Sequence, residues 1–129
     1  MDVEPEPHEA TEPHAGQHAA ISRLIVRAMR EYAGRGPTQA ATTIGKNSIH
    51  CVLGDTLTQS ERTLAGAGFE DDVLLARRRL QEVMRPHLVV EIEKLTGRKV
   101  VAFLSDNHVA PDIAIESFVL QPVADEDAG

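Results

Sequence analysis

A chain of 129 residues with 42% hydrophobic and 3% aromatic content fits one domain, with a core built from Leu, Val, Ile and Ala and large enough to need no metal or disulfide. Its net charge of −7 sits in the tails: Asp2, Glu4, Glu6, Glu9 and Glu12 in residues 1–18, and Asp125, Glu126 and Asp127 in the last six. Taking those eight carboxylates from the total of 20 leaves 12 against 13 Lys and Arg, so the body is near neutral, which argues against a nucleic-acid surface; the single Cys51 excludes an intrachain disulfide and favours a cytoplasmic setting.

Residues 1–18 are rich in Glu, Pro, Ala and His, with no large apolar residue after Val3. Such a stretch buries too little surface to offset ordering entropy, so it reads as a disordered tail. His8, His14 and His18 also admit a metal-binding tail on composition. The acidic N-terminus lacks the apolar stretch of a secretory signal. The longest unbroken apolar run, Val100–Leu104, is far short of the ~20 residues that span a bilayer. No direct membrane insertion is expected; a membrane role would be peripheral, through a partner. One domain is expected over 19–122, with 123–129 as an acidic tail.

The first helix is expected over about 17–33, with Ile21, Leu24, Ile25, Ala28, Met29 and Tyr32 on one face and Arg23, Arg27 and Arg30 on another. Gly34 is its C-cap and Pro37 prevents its resumption. Residues 38–45 and 48–56 form a candidate hairpin about Gly45-Lys46-Asn47, where Gly or Asn can take positive φ. Thr58-Gln59-Ser60-Glu61 is a capping box that opens a short helix to about Ala65. A long helix follows over about 70–96, opened by Glu70, Asp71 and Asp72 and capped by Gly97. Its expected apolar stripe is Val73, Ala76, Leu80, Val83, Met84, His87, Leu88, Ile92 and Leu95, with Pro86 expected to kink or divide it. Residues 99–104 are the strongest strand, 105–108 a turn, and 112–121 the fourth strand.

The order αββ(α)αββ predicts an α+β fold, a four-stranded, mainly antiparallel sheet with helices packed on it. The two halves share one pattern: helix, Gly-Arg (Gly34-Arg35, then Gly97-Arg98), strand, turn, strand. Alternation sets Val101 and Phe103 against Val100, Ala102 and Leu104 in the third strand, and Ile113, Ile115 and Val119 against Ala114, Phe118 and Leu120 in the fourth. Both sheet faces are therefore apolar, while helices cover one. The other calls for a homodimer or a partner subunit.

Several residues are candidates for chemistry. Asp106, Asn107 and His108, followed by Asp112, form the densest polar cluster. It suits a metal or acid/base site, or a loop held by its own side-chain bonds, and no HExxH, CxxC or EF-hand spacing accompanies it. His50 and Cys51 are adjacent on a strand and face opposite sides, so they form no dyad, and Cys51 reads as a buried small residue. Arg35 and Arg98 could bracket one anion, although each follows a helix C-terminus, where the dipole disfavours anions. Arg77, Arg78 and Arg79, like the arginines of the first helix, read as a solvated face, and His87 with Glu91 as a hydrogen-bonded pair one turn apart.

The segments 31–38, 95–108 and 111–120, together with Leu57-Thr58 and Glu61-Arg62-Thr63-Leu64, resemble the MpsC family across about 17–122. That family is named for a sodium-translocating, membrane-potential-generating system whose membrane partners are linked to cation transport and inorganic-carbon uptake. The resemblance implies a small accessory component, not the translocating pore, and it carries over no catalytic residue. Arg35, Arg98, Asp106, Asn107, His108 and Asp112 are its best-matching polar positions. The leading expectation is a non-enzymatic, cofactor-free cytoplasmic module, a homodimer that supports a membrane transport subunit without binding nucleic acid. The alternatives are an anion binder, for bicarbonate for example, using Arg35 and Arg98, and a metal-dependent enzyme on Asp106, His108 and Asp112.

Overall fold

The computed structural model describes residues 14–123. Helix α1 spans His14–Ala33, so residues 14–18 are helical and the expected tail is shorter at its inner end. Ala15, Ala19 and Ala20 are strong helix formers that extend the helix ahead of its first core residue, and Gln17 Nε2 donates to the Leu95 carbonyl at 3.3 Å. The other tail readings fall on residues 1–13 and 124–129, outside the described residues. Ile21, Ile25, Ala28 and Met29 form the buried face of α1. Gly34 closes it at φ +82, its N–H bonded to the Arg30 carbonyl at 3.0 Å.

Strands β1 (Gln39–Ile44) and β2 (Ser48–Gly54) pair antiparallel, from Gln39 opposite Gly54 to Ile44 opposite Ile49. Their loop turns by a bond from the Gly45 N–H to the Ser48 carbonyl at 2.8 Å. Neither Gly45 nor Asn47 takes positive φ, contrary to expectation. The non-glycine residue that does so, among the described residues, is Asp55 at φ 59.

Helix α2 (Gln59–Gly66) starts on the expected box: the Glu61 N–H donates to Thr58 Oγ1 at 3.1 Å, and the Thr58 N–H to Glu61 Oε1 at 2.8 Å. Helix α3 covers Glu70–Thr96 and ends on left-handed Gly97 at φ +70. It runs unbroken through Pro86. That ring lies on the exposed side, where the missing N–H and the displaced carbonyl remain open to water. The inward residues are Val73, Arg77, Gln81, Met84, Leu88 and Ile92. Ala76 and Val83, expected in the stripe, are exposed.

Strand β3 extends over Val100–His108 and pairs antiparallel with β4 (Ile113–Leu120). Residues 105–108 are therefore strand, not turn, and the turn falls at 109–112. A bulge between Val100 and Ala102 shifts the register, so Val100 and Phe103 both point inward. This corrects the simple alternation, which opposed them.

The sheet order is β1-β2-β4-β3, antiparallel throughout. Both long helices lie on one face, α1 over β1 and α3 over β3, in contact with each other. The core closes around Phe118, whose ring centroid is 4.9 Å from that of Phe103. The units α1-β1-β2 and α3-β3-β4 are related by an approximate two-fold between β2 and β4, where Cys51 stands opposite Glu116.

Candidate functional site

The helix-free face of the sheet is built by strand alternation. Register aligns Ala41, Val52, Ile115 and Asp106 in one row across the four strands, and Thr43, His50, Ser117 and Leu104 in the next. Ile113 and Val119 extend the apolar area along β4. Val52, Leu104 and Ile115, with Val101 at the bulge, are 41–60% exposed. The charged side chain in these rows is Asp106, at the β3 edge. Near the centre His50 Nδ1 meets Ser117 Oγ at 3.0 Å and its Nε2 meets Ser48 Oγ at 3.2 Å. A depression of about 480 Å³ lies along Gln39, Ala41, Val52, Gly54 and Ile113. An apolar, nearly uncharged surface of this kind suits another protein surface.

The covered face carries polar groups instead. Glu116 is fully buried. Ser105 Oγ donates to its Oε1, and Gln81 Nε2 to its Oε2 at 3.0 Å. Burial pushes the Glu116 carboxyl up to about 7, against the opposing pull of the Ser105 and Gln81 bonds and the Arg77 charge. Gln81 and Asn107 exchange side-chain bonds at 3.0 and 3.2 Å. Arg77, 2% exposed, reaches from there to the head of α2: its Nε donates to Glu61 Oε2 at 3.1 Å and its Nη2 to the Thr56 carbonyl at 2.7 Å. Glu61 thus closes the α2 cap and neutralises a buried guanidinium. Arg77, Gln81 and Glu116 were not among the sequence candidates. Their signal was phase: Arg77 and Gln81 continue the helical series from Val73, and Glu116 shares the strand phase of Ala114 and Phe118.

Arg35 sits where β2 runs into α2. Its guanidinium donates to the Asp55 carbonyl and to Asp55 Oδ2, the latter at 2.8 Å. Thr38 Oγ1 donates to the same Oδ2 at 2.8 Å, and Arg62 to Oδ1 at 2.8 Å. These bonds hold left-handed Asp55 in place. The Arg35 bond comes first among those that keep its carboxyl below the usual range. Asp112 pins the next step, accepting from the Thr56 N–H, the Thr56 hydroxyl and the Leu57 N–H at 3.0, 2.7 and 3.0 Å. Burial raises the Asp112 carboxyl, but its hydrogen bonds, from the Leu57 N–H first, outweigh that and leave it below the usual range.

Arg98 lies at the other end of the strands, donating to the Lys46 carbonyl, Asn47 Oδ1 and the Gln121 carbonyl at 3.3, 2.8 and 2.9 Å. Two-fold relatedness about antiparallel strands puts the matched arginines at opposite ends, so they do not converge on a shared anion. Nor do Asp106, His108 and Asp112 converge. Asp106 Oδ1 accepts from the Asn107 N–H at 2.9 Å, His108 Nδ1 donates to the Pro111 carbonyl at 2.8 Å, and Asp112 is engaged with Thr56 and Leu57. Asn107 joins the buried network. Among the described residues no three His, Cys, Asp or Glu side chains gather for a metal. Cys51 is buried while His50 is exposed. Arg77 leaves the expected solvated face, whereas Arg78 and Arg79 remain exposed. His87 Nδ1 is 3.4 Å from the Tyr32 hydroxyl, and Glu91 forms an ion pair with Lys94 at 3.5 Å. Among the described residues no helix is long and apolar enough to cross a membrane.

A family profile described as "Na+-translocating membrane potential-generating system (MpsC)" matches residues 16–122. Neither the curated proteins nor the solved structures yield a match. The profile covers most of the chain, and the chain belongs to the MpsC family.

Proposed function

We propose, from this membership, that the protein is a non-catalytic accessory subunit of a Na+-translocating, membrane-potential-generating assembly. It acts at the cytoplasmic side and associates through the open face of its sheet. Membership itself links the chain to such a system; the subunit role, the side and the mode of association are our reading. The observation that carries it is the exposed apolar area around Val52, Leu104 and Ile115, on a sheet whose other face is already filled by helices. A two-fold homodimer is the simplest cover, because one nearly uncharged patch can meet its own copy without opposing like charges. A non-catalytic role is supported by the way the charged clusters are spent: Asp55 and Asp112 on Arg35, Arg62 and backbone donors, and Glu116 on Ser105 and Gln81.

Light scattering on a concentration series tests the association. The expected result is a dimer that I115E converts to a folded monomer. A wild-type mass that stays monomeric at every concentration overturns the homodimer. The subunit role is tested in cells lacking the gene, by a potential-sensitive dye at varied Na+. The Na+-dependent potential falls in those cells, and wild-type protein restores it. An unchanged potential overturns the role.

A further inference from the structure

We propose that the groove between α1 and the edge strand β1 is a docking site for an acidic extended segment, and that its occupant is the chain's own residues 1–13. The groove is a cavity of about 370 Å³ whose walls include Ser22, Arg23, Val26, Arg27, Arg30 and Thr38. Three guanidinium groups one helical turn apart line one wall. Among the described residues none of the three has a carboxylate within ion-pair distance. Arg35, Arg62 and Arg77 differ from them, each having found one. Like charges in a row repel, and a second negatively charged strand of atoms relieves that repulsion. On its outer side the groove is bounded by β1, which pairs with β2 alone. The groove meets the depression of the open face at Thr38 and Ala40, which line both, while its arginine wall belongs to α1 alone.

Charge and reach select the occupant. Residues 1–13 carry Asp2, Glu4, Glu6, Glu9 and Glu12 and no Lys or Arg, and they join α1 at its first turn. Along the helix, Arg23 lies about 14 Å and Arg30 about 24 Å beyond His14, at ~1.5 Å per residue. An extended chain turning back at Pro13 covers ~3.3 Å per residue. That places Glu9 about 17 Å and Glu6 about 26 Å along the same path. In that conformation the carboxylates would come level with the guanidinium groups in antiparallel order, Glu9 with Arg23 and Glu6 with Arg30. The acidic C-terminal residues Asp125, Glu126 and Asp127 follow β4, two strands from β1, and are the rival occupant.

Paramagnetic relaxation in the full chain tests this. The native thiol, Cys51, is buried, so a nitroxide placed by Ala10→Cys labels position 10 selectively. The expected result, at low salt, is selective broadening of the amide signals of Ser22–Arg27 and Thr38–Ala40. It fades as NaCl rises several-fold, as screening requires, and it is lost in R27E and in R23E/R27E/R30E. If the triple variant fails to fold, R27E and the salt series decide. Broadening confined to the first turn of α1, or unchanged in R27E, overturns the proposal. So does broadening of the groove only by a label on the C-terminal segment, placed by Ala128→Cys. Mixing labelled protein with isotopically enriched unlabelled protein separates cis from trans: broadening that appears only between molecules overturns occupancy in cis.

Discussion

Below the sheet, where the helices pack, Glu116 and Arg77 are almost without solvent and are held by Ser105, Gln81, Asn107 and Glu61. Above it, Val52, Leu104 and Ile115 face water. The same four strands therefore carry the buried Glu116 on the closed side and, apart from Asp106 at the edge, exposed hydrocarbon and uncharged polar groups on the open one. The polar groups inside are satisfied one by one and fix how α2 and α3 sit on the sheet; the apolar groups outside have only their neighbours in the sheet, Val52 beside Ile115 for example, and no helix above them. Folding energetics explain the first face; the second leaves Val52, Leu104 and Ile115 41–60% exposed, the area on which the proposed association rests.

Substitutions on the two faces should behave as differently as the faces look. The largest effect is expected from R77M, which strands Glu61 and the Thr56 carbonyl. Breaking a buried pair from one side costs about 3–5 kcal/mol, read as a lowered urea midpoint. A loss under 1 kcal/mol would show that water replaces the guanidinium and that the inner face is not closed.

Next comes the pH response of Glu116. Its folded-state pKa is raised from 4.5 to about 7, so the native state binds the proton more tightly than the unfolded chain. The stability this gives is fully present below pH 4.5 and is lost as pH rises to about 7. The shift corresponds to about 3 kcal/mol. E116Q, which keeps an acceptor for Gln81 and a donor for Ser105, should remove that slope and exceed the wild type in stability at pH 8. Denaturation at pH 5 and pH 8 measures both. A wild-type curve flat across that interval would place Glu116 in contact with water. The lowered pKa of Asp112 works in the opposite direction: its contribution is present above 3.8 and is lost as pH falls below that value.

A smaller change is expected from T58A, which removes the acceptor for the Glu61 N–H. Cap losses cost about 1 kcal/mol, and here the loosened Glu61 also weakens the hold on Arg77. Coupling between T58A and R77M in a double-mutant cycle would confirm that cap and network are one unit; additivity would separate them. The smallest effect on the monomer belongs to I115S on the open face, within about 0.5 kcal/mol. A large loss at a concentration where the protein is monomeric would mean that the outer face is already covered within the chain.

Much of the fold was legible in local chemistry. The acidic run at Glu70–Asp72 and Gly97 marked both ends of α3, and Thr58 with Glu61 marked the start of α2. What was not legible depended on distant partners. Ser105-Asp106-Asn107-His108 has the composition of a turn, yet it is strand because Ser105 and Asn107 find Glu116 and Gln81 beneath them. Tertiary contacts override propensity there. The bulge after Val100 leaves no mark in composition. Arg77 and Glu116 were legible in phase, but charge is ordinarily read as solvated, and nothing local reveals a buried partner. Arg35 and Arg98 were seen as a matched pair. Their separation followed from the strand order, which no single half encodes.

That strand order has a consequence for how a chain built from two similar halves can evolve a function. A residue and its counterpart are carried to opposite ends of the sheet unless they lie on the axis that relates the halves. At the middle of the β2–β4 seam, where the halves meet, the facing pair is Cys51 and Glu116. Drift at any other matched position alters two separate places independently, whereas drift at this pair alters one shared place. Here that shared place holds a buried thiol beside a buried carboxylate, two different groups rather than a self-contact.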